Sequence, residues 1–251
     1  MTGLRYVYAV CRPFGAALQS QLTGVAGAPP KLLHHGDLVA VVSAVPEGEF
    51  AEEPLRAHLE DGEWLTATAR AHQGVIDALT TVTTPLPLRL ATVFRDDSGV
   101  RTMLEAREGD FRRTLDRLEG RVEWGVKVYV ESAPEDTAEN EPPPGTAVPG
   151  RDRLRRRAGE HEDGPRQAEE YAARLHEKLA AHAEDSRLHT PQNPALSGPS
   201  ERNVLNSAYL VPRVQSEEFV EIVDRTKGEA PGIRVELTGP WAAYSFAGEK
   251  P

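Results

Sequence analysis

This chain of 251 residues is short of several things, and each shortage excludes a class of function. It has one cysteine, Cys11, so no disulfide can form within it and no multi-cysteine metal site can exist, as expected of a reducing compartment. Nowhere does an apolar run approach the roughly 20 residues that a bilayer span requires, and no membrane partner is expected. Residues 1–10 are too short, and too interrupted by Arg5, for a secretory leader, so a cytoplasmic location is expected. Basic residues are outnumbered, 29 Lys and Arg against 39 Asp and Glu, for a net charge of −10. Affinity for a phosphate backbone comes mainly from Lys and Arg, which speaks against a nucleic-acid partner. The acidic excess favours solubility instead.

Catalytic signatures are missing too. There is no P-loop, no dinucleotide glycine pattern after a strand and no nucleophile elbow. His176-Glu177 invites comparison with a zinc helix, but the next histidine is His182, and six residues place the two rings about 240° apart around a helix. A zinc helix needs them four apart. His34-His35 lies at a turn with no cysteine or carboxylate cluster near in sequence. His72 falls on the apolar stripe of a helix, where a hydrogen-bonded core histidine is the expectation. Glu123 and Lys127 share a strand face without convergent partners and read as a solvated or paired charged face. No catalytic, cofactor-binding or metal-ligating residue is expected, and no cofactor.

What is present is a regular alternation of elements. RVEWGVKVYVE, residues 121–131, carries a period of two, with Val122, Trp124, Val126, Val128 and Val130 on one face, the pattern of a strand with one face on a core. Before it, Leu4 to Cys11 reads as a strand apolar on both faces and therefore interior. Leu32-Leu33 and Leu38 to Val45 read as two strands around a Gly36-Asp37 turn. Glu63 to Leu79 is an amphipathic helix, with Leu65, Ala69, His72, Ile76 and Leu79 at helical spacing. Pro85 and Pro87 make TTPLPLRLATVF extended, and confine its start to an edge or entry position. Asp96 to Gly99 is a turn, and Val100, Met103, Leu104, Phe111, Leu115 and Leu118 recur at helical intervals up to a stop at Gly120.

After the strand, 132–150 carries acids, Pro and Gly with almost nothing to bury, and reads as a variable or disordered insertion extending to about 165. A helix follows through Ala168, Tyr171, Leu175 and Leu179, then a loose loop from Ser186 to Arg202. Val204 to Val211 is a strand, Glu217 to Thr226 a helix, and Ile233, Val235 and Leu237 alternate in a last strand. Gly239-Pro240 then turns the chain into Trp241 to Phe246. If the 121–131 strand belonged to the first half, the second would keep two strands, too few for a stable sheet. The boundary is therefore expected near Gly120. It separates a domain over 1–120 from one over 121–251, the second an α+β unit resembling a ferredoxin-like fold with an insertion at 132–165 and an aromatic tail at 239–251.

Two features suggest protein contact. Arg89 lies among leucines and needs either an ion-pair partner or an open edge. Trp241, Tyr244 and Phe246 either pack back on their own sheet or present a gripping surface, since Trp and Tyr are frequent hot spots. RDRLRRR, residues 151–157, lacks aromatic interleaving and reads as a charged helix entry.

Taken as an ordered set, LRYVYAV, DLVAVVSAVP, the helix from Trp64 to His72, TPLPLRLATVF, RVEWGVKVYV, GRDRLRRR, LNSAYLV and ELTGPWAAYSF resemble the gas vesicle protein family GvpF/GvpL over nearly the whole chain. Two places depart from the family pattern. Leu90-Ala91 stands where Phe-Gly is usual, and Ala242-Ala243 where prolines are usual. The resemblance implies a two-domain α+β protein, with a first domain of unusual topology and a second that is modified ferredoxin-like. It implies an accessory or minor structural role in gas vesicle assembly, and the hypothesis built on it is that the chain acts during nucleation and remains on the gas-facing side of the shell. Its implied partners are the small, hydrophobic major shell protein, whose aggregation it would prevent during nucleation, and other accessory proteins. The competing reading is a small-molecule-binding regulator, which rests on ferredoxin-like analogy alone; an enzyme comes third.

Overall fold

The computed structural model describes residues 3–15, 22–131, 166–191 and 201–248. The expected insertion at 132–165, with its RDRLRRR run, lies outside them. By their contacts, residues 1–123 with 240–251 form one compact unit and residues 124–239 another.

The first unit is built on a sheet of β1 (Leu4–Cys11), β2 (Lys31–His35), β3 (Leu38–Val45), β4 (Leu86–Pro87) and β5 (Val93–Phe94). Its order is β2-β3-β1-β4, with β5 also on β1, every pair antiparallel. β1 is central, which explains its apolar character on both faces. Strict alternation fails, because the register to β3 slips between Val7 and Ala9. The extra residue there is Tyr8, and a bulge of one residue inverts the side-chain parity that follows. Tyr6 and Tyr8 before the slip, and Ala9 and Cys11 after it, consequently share one core with Val41, Phe50, Val75, Ile76 and Leu79. Cys11 is fully buried, and burial pushes its thiol up to about 12, where it is chemically inert.

Helices α1 (Glu47–Phe50), α2 (Glu52–His58) and α3 (Gly62–Thr80) follow β3. The Asp61 carboxylate caps α3, accepting from the Glu63 and Trp64 amides at 2.9 and 3.2 Å. Thr68, His72, Val75, Ile76 and Leu79 are its buried stripe. Residues 83–94 do not form the continuous extended segment expected. β4 pairs with Ala9 and Val10, β5 with Arg5 and Tyr6, and between them the chain loops out at 88–92. Thr92 closes that loop through its amide and hydroxyl, both donating to the Arg89 carbonyl. Asp96 to Gly99 is likewise no free turn: Asp96 caps α4 (Asp97–Ala106), accepting from the Gly99 amide at 2.9 Å. The helical run up to Gly120 is two helices, because Arg107 leaves helical geometry (φ −121°, ψ 17°) before α5 (Glu108–Leu118). Gly120, at φ 70°, supplies the expected stop. Arg112 and Arg12 both reach Asp37 at 2.6 Å, tying the β2–β3 turn to α5. The Arg112 hydrogen bonds hold the Asp37 carboxyl below the usual carboxylate range.

The second unit is built on β6 (Arg121–Glu131), α6 (166–180), β7 (Asp185–Leu188), β8 (Glu201–Pro212), α7 (Ser216–Thr226) and β9 (Ile233–Trp241), of which the start of β6, up to Glu123, and the end of β9, from Pro240, belong to the first unit. This is strand-helix-strand-strand-helix-strand with order β7-β8-β6-β9, the ferredoxin-like arrangement. The segment beginning at Ser186 is thus not all loop. β7 escapes a periodicity reading because it is a four-residue edge strand, DSRL, whose one apolar residue, Leu188, is exposed. β6 lies inside the sheet and is buried on both faces, not on one. Tyr129 is buried under the Arg234 guanidinium, 4.3 Å from its ring centre. Gly125 is required for closeness: a Cβ there would lie 2.6 Å from Thr238 Oγ1. β9 also runs on through Gly239-Pro240, where a turn was expected. An edge strand tolerates proline, and glycine takes up φ 126°.

Candidate functional site

Of the residues singled out for partner contact, three are at the surface and one is not. Arg89 is exposed in the 88–92 loop and makes no ion pair among the described residues. Trp241, at the end of β9, is 41% exposed, and Tyr244 is 36% exposed. Phe246 is fully buried, which removes it from any docking surface. The short 3₁₀ turn Tyr244–Phe246 is pinned from two sides. Glu123 accepts from the Ser245 amide at 2.8 Å and from its hydroxyl at 2.6 Å, and Arg117 donates to the Phe246 carbonyl. Glu123 is therefore a buried anchor for the tail, not a member of a solvated charged face. Ala242 completes the anchorage by joining the core of the first unit.

The two other histidines of interest serve structure. His176 Nδ1 lies 2.8 Å from the Tyr209 hydroxyl, and His182 Nδ1 lies 2.8 Å from the Lys178 carbonyl, so they point at different partners. Burial raises the Tyr209 hydroxyl to about 12. Among the described residues, no three His, Cys, Asp or Glu side chains approach closely enough to hold a metal ion, and no helix is long and apolar enough to cross a membrane.

His72 is more informative. It is buried, with Nδ1 2.9 Å from the Tyr6 hydroxyl, and that hydroxyl also accepts the Ala91 amide at 3.1 Å. With the Tyr6 oxygen accepting from Ala91, its own proton goes to His72 Nδ1. The imidazole is then neutral with its hydrogen on Nε2, which has no hydrogen-bond partner among the described residues. Desolvation lowers the His72 pKa to about 4, and raises those of Tyr6 and Tyr244. Tyr244 completes the set, its ring 6.3 Å from that of His72. This is a positioning network. The residue it fixes, Ala91, sits at φ 61°, a left-handed geometry that costs a residue with a Cβ about 1 kcal/mol or more.

Ala91 in turn forms part of the wall of a groove in the first unit. This groove, of about 710 Å³, runs between the 91–95 strand segment and the helices α1 and α2. Its floor is Leu4, Phe50, Ala51, Leu55, Val93 and Phe94, and its rim carries Glu47 and Glu52 on the helical side and Arg95 on the other. Two further cavities are about 350 Å³ each: one is lined mainly by polar groups between Ala181 and Phe219, and the other is mainly apolar, between Tyr171, Leu175 and Ala230, with Arg174, Lys178 and Glu229 at its edge. The pattern of the sequence predicts no element over 47–58, so the groove wall is invisible in it. A usable signal is the spacing of Phe50, Leu55 and Trp64 among acids, but helices of four and seven residues are too short to show a period.

Comparison with known proteins agrees with the architecture. A family model described as gas vesicle synthesis protein GvpL/GvpF matches residues 4–248. The chain is similar to gas vesicle protein L of a Streptomyces species, with 57% identity over 249 residues, 98% of this chain and 93% of that one. To gas vesicle protein F of the same organism it is 27% identical over 250 residues, 96% and 98% of the two chains. Crystal structures of GvpF from Anabaena and from Microcystis aeruginosa superpose with TM-scores of 0.70 and 0.69, each at 18% identity. They cover 99% of this chain, and 98% and 100% of their own, and so share its fold.

Proposed function

The chain belongs to the gas vesicle synthesis protein GvpL/GvpF family, whose members take part in gas vesicle formation, and from that premise we propose that it binds the hydrophobic major shell protein during nucleation and keeps it from aggregating. The observation that carries this reading is the open groove in the first unit, which combines the apolar side chains Leu4, Phe50, Leu55, Val93 and Phe94 with a charged rim. Subunits with large exposed apolar surface associate indiscriminately before they assemble. An acidic chain with net charge −10 can hold such a surface in a groove while its own charge keeps the complex dispersed. The exposed Trp241 and Tyr244, with Arg89, are further contact residues on the same unit. The bound chain stays with the vesicle, on the gas-facing side of the shell. Other accessory proteins of assembly are further partners.

The experiment is sedimentation of freshly diluted shell protein with and without the chain, beside vesicle counts in cells lacking it. The chain is expected to hold shell protein in the supernatant in a roughly stoichiometric manner, and its loss to reduce vesicle number. Equal sedimentation in both tubes together with normal vesicles would overturn the proposal.

A further inference from the structure

We infer that the groove of the first unit takes an amphipathic helix that carries Lys or Arg along one flank. The inference rests on the proposed function only in taking the occupant to be a protein; it adds which surface is used and what chemistry fits it.

The floor side chains are apolar, and the trough has a volume of about 710 Å³. Ala51 and Ala91 are the small residues of the lining, and they leave depth between Phe50, Leu55 and Phe94. Anchors at i, i+3, i+4 and i+7 of a helix extend over about 10 Å, a span suited to such a trough. An added strand fits poorly. The free edge available is β5, two residues long, and the opposite wall is helical, with its backbone amides already engaged.

Charge selects among helices. Glu47 and Glu52 line the helical wall, and Glu49 and Glu53 lie on the same two helices, all four exposed. The basic residues on these helices are Arg56, 3.4 Å from Glu52, and His58, which stacks on Trp64. The helical wall thus presents two carboxylates to the trough, Glu47 and Glu52, while the far rim offers Arg95. A helix seated between them is favoured when cations lie on its α1–α2 flank, and an acidic flank there meets like charge.

The geometry is testable with two helical peptides of about fifteen residues, the length at which an isolated helix becomes stable. Both share one leucine stripe; one carries Lys and the other Glu along a single flank. Fluorescence anisotropy with the full chain is expected to show the Lys peptide binding about fivefold more tightly at low salt, a preference that shrinks as salt is raised. The double variant Glu47→Lys with Glu52→Lys is expected to reverse the order. Both side chains are exposed, so circular dichroism should report an unchanged fold. Equal binding of the two peptides, no binding of either, or an order unaffected by the double variant would each overturn the inference. Shell protein held in solution by a chain that binds neither peptide would sink the groove as the docking surface while leaving shell-protein binding itself, through another surface, standing. Peptide selectivity without any effect on shell protein would do the opposite.

Discussion

The Tyr6 hydroxyl lies 2.9 Å from His72 Nδ1 and joins three separate pieces of the first unit, namely β1, α3 and, through the Ala91 amide, the wall of the groove. Because that contact is buried, its protonation state is part of the fold's stability. The neutral form of His72 is favoured in the folded chain, with a pKa of about 4 against an ordinary 6.5. The unfolded chain then binds more protons between those values. Stability is full above about pH 6.5 and falls as the pH drops towards 4, by about 3 kcal/mol in all. Urea titrations at pH 7 and pH 4.5 are expected to show this loss, and His72→Phe to flatten it. An unchanged slope in the variant would assign the pH dependence to other groups.

Ala91 occupies a left-handed position, φ 61°, which favours glycine. Ala91→Gly is expected to stabilise the chain by about 0.5–1 kcal/mol, the relief of Cβ strain less the extra freedom of glycine in the unfolded chain. The measurement is the urea midpoint at constant slope. A lower midpoint would mean that the Ala91 side chain contributes more as groove wall than its backbone costs.

Gly24 is needed for closeness. A Cβ there would lie 2.3 Å from the Tyr8 hydroxyl and 3.0 Å from Ser43 Oγ. That hydroxyl accepts the Val25 amide at 2.8 Å and donates to Ser43 Oγ at 2.9 Å, so it cannot step aside without breaking both bonds. Gly24→Ala is expected to cost about 1–3 kcal/mol. Combining it with Tyr8→Phe should recover part of that loss.

Glu123 anchors the tail by two charge-assisted hydrogen bonds to Ser245. Glu123→Gln is expected to cost about 1.5–3 kcal/mol, because an amide nitrogen replaces one acceptor. Hydrogen exchange at the Ser245 amide should accelerate more than exchange in β1. Equal acceleration at both would indicate global destabilisation instead.

Trp241→Ala is expected to weaken retention of shell protein on a column of the chain by about tenfold, and Arg89→Ala by less, since a large half-exposed aromatic is the better anchor. Neither side chain lies in the core, so both variants should keep the native thermal transition. The reverse ranking would move the contact away from the tail.

Periodicity alone places the elements long enough to show it. β1, β3, β6, α3 and α7 stand where alternation or helical spacing puts them, and capping and stop residues such as Asp61 and Gly120 mark their ends. Resemblance of ordered stretches then identified the family. Tertiary structure decided what a period cannot carry. A single extra residue at Tyr8 inverts the parity of the rest of β1, and a two-proline segment becomes two short strands with Ala91 looped between them. Glu123 is buried because residues 240–248 return to cover it, an event more than a hundred residues away in the chain. The groove has the same origin, because Leu4, Phe50, Leu55 and Phe94 line one trough only after β5 has paired with β1 and α1–α2 have folded over that edge. Local spacing records which face of an element is apolar; which of those faces meet, and which one stays open to a partner, depends on contacts between residues far apart in sequence.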